Sequence, residues 1–175
     1  FIKNITPENV FISDKHQDTL LYGKSITVDV SHFSYNEKTL NLDQAVLNSV
    51  KVKLLKHEHE RDFNFQFLVD YFSPSQITKK DTSSNWKISY GKLLLNQVDF
   101  TYRIMDDTTK SFQNMNYRNI QVKDIFGSIS DIAFNGDTIF GYVSDLRAKE
   151  KCGISLLTLT TRAKISPVEL RCDDI

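Results

Sequence analysis

The chain has 175 residues, enough for one domain of ordinary size or two small subdomains. Its 22 basic and 22 acidic residues balance, so it lacks the positive footprint of a nucleic-acid binder, and no basic stripe follows any strand-like segment. The hydrophobic fraction of 40% suits a globular protein, and no apolar run approaches a membrane span.

Phe1 is not a start Met, and the opening residues lack the apolar region of a signal peptide. The simplest reading is a piece of a longer precursor, in which an upstream anchor would not be visible. Asn4-Ile-Thr6 matches a glycosylation acceptor, a tripeptide common by chance.

β-branched and aromatic residues are plentiful and Pro and Gly few, which favours strands. Ile26, Val28 and Val30 alternate with Thr27, Asp29 and Ser31, giving one apolar and one polar face. Val46, Val50, Val52 and Leu54 share one parity, with Ser49, Lys51 and Lys53 on the other. Lys56 to Asp62 reads as a charged hairpin or loop. Phe63 to Phe72 fits both strand alternation and the helical spacing of Phe65, Leu68, Val69 and Phe72. A short helix is favoured, capped by Asp62 or Asn64 and stopped at Ser73-Pro74. Residues 73–85 are the best linker candidate. They divide a first β subdomain, residues 1–72, from a second, residues 86–175, unless one continuous sheet runs through both.

Beyond the linker, Trp86 to Tyr90 alternates, and Val98, Phe100, Tyr102 and Ile104 face one way. Ile120 and Val122 continue the pattern, and Ser128 to Phe134 is a further short strand. Asn135-Gly136-Asp137 is a hairpin signal, because Asn-Gly accepts positive φ angles. Thr138 to Asp145 is a strand, Arg147 to Lys151 a turn, Gly153 to Ile165 a long strand and Val168 to Cys172 a short last one. Short turns between successive strands imply an antiparallel meander. An Asn precedes three of the alternating segments, in Asn9-Val10, Asn48-Ser49-Val50 and Asn96-Gln97-Val98, an irregular echo compatible with a stacked, repeat-built sheet. The expected fold is therefore all-β: a curved or twisted antiparallel sheet, sandwich-like or groove-like, with one short helix.

Little in the chain suggests catalysis. There is no Gly-x-Ser-x-Gly elbow, no Gly-rich phosphate loop, and no marked acid–base pair. No catalytic residue, cofactor or metal is expected, and the protein reads as a non-enzyme. His57 and His59 share a strand face and could reach one metal, but further ligands are not evident and a solvated turn is simpler. Cys152 and Cys172 read as free thiols rather than a bridge.

The remaining signal is the apolar parity. Its ordinary reading is a core between packed layers; its sharper reading is the inner face of an open groove. Ile26, Val28, Val30, Val50, Val52, Leu54, Val98, Phe100, Tyr102, Ile120 and Val122 would line that groove or the local core.

Asn9 to Asp14, followed by Gln17-Asp-Thr-Leu-Leu-Tyr-Gly-Lys-Ser-Ile-Thr-Val-Asp-Val30, resembles the N-terminal region of TamB-type translocation and assembly proteins, within the AsmA-like group of Gram-negative envelope proteins. Gly23 stands where the pattern has Ala. Leu47 to Leu55, Phe63 to Phe72, Trp86 to Ser89, Asp137 to Ile139 and Glu150 to Ile154 extend the match, with Cys152 in place of a small polar residue. The resemblance spans most of the chain on structural rather than catalytic motifs. It implies a periplasmic segment of a protein anchored in the inner membrane. It further implies a hydrophobic β-trough for phospholipid, and an outer-membrane barrel partner of the assembly family. The alternative is a β-sandwich binding module for a glycan or protein, for which Trp86, Tyr90 and Tyr117 are the candidate aromatics. The free edges of such a sheet are expected to pair, for instance in a dimer.

Overall fold

A computed structural model describes residues 4–68, 87–105, 116–135, 138–166 and 168–173. The linker expected at 73–85, most of the end of the expected helix and Trp86 lie outside these residues. The strands are β1 (Asn4–Ile5), β2 (Glu8–Ser13), β3 (Thr19–Ser34), β4 (Thr39–Lys56), β5 (Lys87–Ile104), β6 (Asn119–Asn135), β7 (Thr138–Glu150), β8 (Ser155–Leu156), β9 (Thr161–Ile165) and β10 (Leu170–Asp173). All ten belong to one open sheet, ordered β1-β3-β4-β5-β6-β7-β9-β10, with β2 on β3 and β8 on β7. No second sheet packs against it among the described residues, so the sandwich form of the expectation is not realised there. Pro7, which cannot donate to a ladder, separates β1 from β2 at the sheet edge.

The all-β expectation holds, but the meander is not antiparallel throughout. β4 and β5 run parallel, in register from Thr39 opposite Lys87 to Lys56 opposite Ile104. The physical reason is the length of the connection. A parallel neighbour needs a crossover of a dozen or more residues, and residues 57–86 provide it. The seam is tight: a Cβ on Gly91 would lie 2.0 Å from the Asp43 carbonyl oxygen, so only glycine fits there.

Four boundaries also differ from expectation. Lys87–Tyr90 and Val98–Ile104 are parts of one strand, β5, and Asn119–Lys123 and Ser128–Phe134 are parts of β6. Arg147 to Glu150 continues β7 rather than turning. The long strand expected from Gly153 to Ile165 is broken into β8 and β9, because Leu159 leaves the β8 line to exchange backbone hydrogen bonds with Leu146. Only a first helical turn, Gln66 to Leu68, falls within the described residues.

A crease crosses the sheet. Asn9, Ser49, Gln97, Asp124 and Asp145 all have left-handed backbone, with φ between 49° and 63°. They sit on β2, β4, β5, β6 and β7, and Ser49 and Gln97 are neighbours whose side chains hydrogen-bond at 3.0 Å. Asn, Asp and other short polar residues tolerate this conformation best. Each bends its strand and turns its alternation over by one position; the β2–β3, β3–β4 and β4–β5 ladders keep their register across the crease, and the register shifts beside it only in β5–β6 and β6–β7.

The shift is legible in the ladder partners, which share a face. Before the crease, β4 presents Ala45 and Leu47 beside Val28 and Ile26; after it, Val50 and Val52 sit beside Gly23 and Leu21. Val46, grouped above with Val50 and Val52, instead pairs with Thr27 and Leu94 on the other face. A Cβ on Gly23 would lie 3.2 Å from Ile26 Cγ1 and 3.3 Å from Val50 Cγ2, so side chains from both sides of the crease lean over the same spot. The apolar face is thus the inside of the bend. Val50 and Val98, directly after the left-handed residues, are 0% and 6% exposed.

Candidate functional site

The inner face is a set of apolar rows crossing the strands. Along the crease runs Val10–Gly23–Val50–Val98–Ile125. On one side lie Leu21–Val52–Phe100–Val122 and Leu54–Tyr102–Ile120. On the other lie Ile26–Leu47–Leu95–Gly127, Val28–Ala45–Leu93–Ile129–Val143 and Val30–Leu42–Tyr90. All eleven residues singled out from sequence therefore fall in these rows. Ala45, Leu47, Leu93, Leu95, Ile129 and Val143 belong to them as well. Sequence parity missed these six because the crease reverses it. The polar rows behind them carry Ser25–Asn48–Asn96 and Lys51–Asp99. Asn96 Nδ2 donates to Asn48 Oδ1 at 2.8 Å and Asn48 Nδ2 to Ser25 Oγ at 3.1 Å.

The two flanks of the crease are covered differently. On the Val52 side, the crossover folds back over the sheet. Ile12, Leu20, Leu21, Val52, Leu54, Phe65 and Leu68 bound a wholly apolar cavity of about 310 Å³. The Phe63 ring lies 5.3 Å from that of Tyr102 and 5.8 Å from that of Phe65. On the Val28 side, no apolar side chain among the described residues is fully buried; the four that are, Leu20, Val50, Leu55 and Val98, lie at the crease or beyond it. Tyr90 and Ile88 are 42% and 44% exposed.

A polar cluster fastens the covered flank. Asp14, in the β2–β3 turn, has a buried side chain. Its Oδ1 accepts the amides of His16 and Asp18, each at 2.9 Å. Its Oδ2 accepts Asn64 Nδ2 at 3.0 Å. Asn64 also donates to the Lys53 carbonyl oxygen at 3.1 Å and accepts the Leu55 amide at 2.9 Å. One turn, one strand end and the start of the crossover are thereby tied together. Burial pushes the Asp14 carboxyl up, but the hydrogen bonds from Asn64, the Asp18 and His16 amides and His57 outweigh it and hold its pKa below the ordinary value.

His57 belongs to this cluster rather than to a solvated turn. Its side chain is 13% exposed and its Nε2 lies 3.4 Å from Asp14 Oδ2. The His16 ring lies against it, tilted by 36° with ring centroids 3.9 Å apart, and bonds Glu60 at 2.8 Å. His59 is 89% exposed and pairs with Glu58, so the two imidazoles considered together from sequence do not converge. Cys152 and Cys172 are free.

No family model, no curated protein and no solved structure matches the chain. The site must be read from its own chemistry. An apolar inner face with a polar back offers hydrocarbon an apolar surface.

Proposed function

We propose that the chain is an apolar-ligand module of the cell envelope: a periplasmic segment, anchored in the inner membrane through a part of the protein outside this sequence, that shelters phospholipid between the two membranes. The observation that carries this reading is the continuous apolar lining along the inside of the crease, from Val10 to Ile125, flanked by a half-buried apolar row on which no side chain is fully buried among the described residues. Transfer of a lipid tail through water costs about 0.8 kcal/mol per methylene, so a conduit needs a dry wall and no catalytic group. The dimensions suit a tail. Five adjacent strands, β2 to β6, span roughly 19 Å along the crease at about 4.8 Å per strand, against about 15 Å for one leaflet of a 30 Å hydrocarbon core. The resemblance of the sequence to TamB-type proteins supports the same role and suggests an outer-membrane barrel protein of the assembly family as partner.

The glycan alternative has less support. Tyr90 and Tyr117 are exposed, but they sit near opposite ends of the strands, roughly 40 Å apart along β5 at about 3.3 Å per residue. They do not make one stacking platform.

The test uses protein expressed in a Gram-negative host with a photo-crosslinking residue at Leu95 or Asn96. These are adjacent in β5 but face opposite sides. Phospholipid adducts at position 95 and not at 96, with lipid co-purifying in native mass spectrometry, support the reading. Equal labelling at both positions, or lipid-free protein that binds a sugar array, overturns it.

A further inference from the structure

We propose that Asp14, Asp18 and His57 form a binding site for a divalent transition metal of the zinc class. The site is separate from the apolar face and stands whether or not that face carries lipid.

One ligand-type atom from each of the three residues lies within 4.8 Å of the other two. His57 Nε2 is 3.4 Å from Asp14 Oδ2 and 3.8 Å from Asp18 Oδ2. Ligands at about 2.0–2.1 Å from a tetrahedral zinc ion stand about 3.3 Å apart, so the two separations are close to those a bound ion sets. The 3.4 Å contact is a hydrogen bond at the long end of the range, longer than the about 2.7–2.9 Å that a charge-assisted pair favours. The arrangement suits three atoms around one cation better than an ion pair.

The surroundings are those of a held ligand set. Asp14 has no exposed side-chain surface, and its Oδ1 is occupied by two amides. Its Oδ2 receives Asn64 on one lone pair, leaving the other directed toward His57. Such outer partners orient metal ligands. Asp18 is 52% exposed, so its carboxylate has the freedom to close the last few tenths of an ångström. Two carboxylates and a neutral imidazole balance a divalent charge, which matters where one carboxylate is fully desolvated. Water completes the coordination on the exposed Asp18 side. Imidazole with carboxylate selects zinc-like ions over calcium or magnesium, which take oxygen ligands alone. The ion would join the β2–β3 turn to the end of β4, tightening the closure that Asn64 already makes.

The experiment is a titration of the metal-stripped protein with Co2+, followed by visible ligand-field absorption, and with Zn2+, followed by calorimetry and thermal unfolding. One equivalent of Co2+ is expected to bind with absorption of low-coordinate type, and Zn2+ to raise the melting temperature. D18N and H57Q are each expected to weaken binding at least tenfold; H59A, on the exposed imidazole, is expected to bind as the parent does. Asp18 is at the surface, so D18N keeps the comparison readable if H57Q does not fold. Absence of the absorption band and of a thermal shift overturns the proposal. So does D18N binding as tightly as the parent, or H59A losing affinity as D18N does.

Discussion

The two flanks of the crease are written in the same alternating pattern and end in different environments. On the covered flank, Phe63, Phe65 and Leu68 of the crossover lie over Val52, Leu54 and Tyr102. On the open flank, Leu93, Leu95, Ile129 and Val143 form an equally apolar surface, half-buried as Val52, Leu54 and Tyr102 are, but without the cavity and ring contacts that Phe63, Phe65 and Leu68 make on the covered flank among the described residues. Alternation therefore specifies which face is apolar and leaves open what lies against it. The cover is decided by the connection. A parallel neighbour requires a long crossover, and the start of that crossover, Phe63 to Leu68, lies over one flank.

The largest effect that tests this comparison is a charge inside the bend. Val50→Asp places a carboxylate at a site with no exposure and is expected to cost more than about 4 kcal/mol, enough to unfold the protein. Leu95→Asp, on the open flank, is expected to leave a folded protein, at a cost of about 1–2 kcal/mol. Urea denaturation of the two variants decides it. If Leu95→Asp unfolds the chain as Val50→Asp does, the open flank is covered after all.

Next in size is the fastening of the covered flank. Asn64→Ala removes the side chain that serves Asp14, Lys53 and Leu55 at once, leaving buried polar groups without their partner. A loss of about 2–3 kcal/mol is expected. Hydrogen exchange should speed up in the β2–β3 turn and at the end of β4, and not in β7. Uniform acceleration over the sheet would show that the cluster supports the whole fold rather than one flank.

The crease comes third. Gln97→Val puts a β-branched residue into left-handed backbone and is expected to cost about 1–2 kcal/mol. Gln97→Asn, which tolerates that backbone, is expected to be close to neutral. Equal melting temperatures for the two variants would mean that the bend does not depend on this residue's conformation. Smallest of all is Lys51→Asp, on the polar back, expected within about 0.5 kcal/mol of the parent. A large loss there would invert the assignment of faces.

Much of this face was legible in the sequence. Val52, Phe100 and Val122 share a parity in three separate segments, and they become one row. The Asn echo was legible too, though its meaning was not: Asn9 itself, and the residues after Asn48 and Asn96, are three of the five left-handed positions of the crease. Val46 misled, because one left-handed residue, Ser49, changes parity without leaving a mark in the binary pattern. The parallel seam was hidden as well, since a strand's pattern does not name its neighbour across a crossover. The Asp14 cluster was missed because its members, Asp14, His57 and Asn64, are far apart in sequence and look like ordinary turn residues. Asp14-Lys-His-Gln-Asp18 did carry a signal, the usual composition of a turn in which an Asp caps the following amides.

The seam between β4 and β5 has one more implication. Every residue of β4 that pairs there faces the residue 48 positions later. Additions to the loop joining the two strands leave that correspondence between edges untouched, since the loop only has to return to the same starting place. A single residue added inside either strand would turn its downstream half over and set lysines against leucines. Length variation in this protein should therefore be confined to the connection, and the two long strands should keep a fixed count.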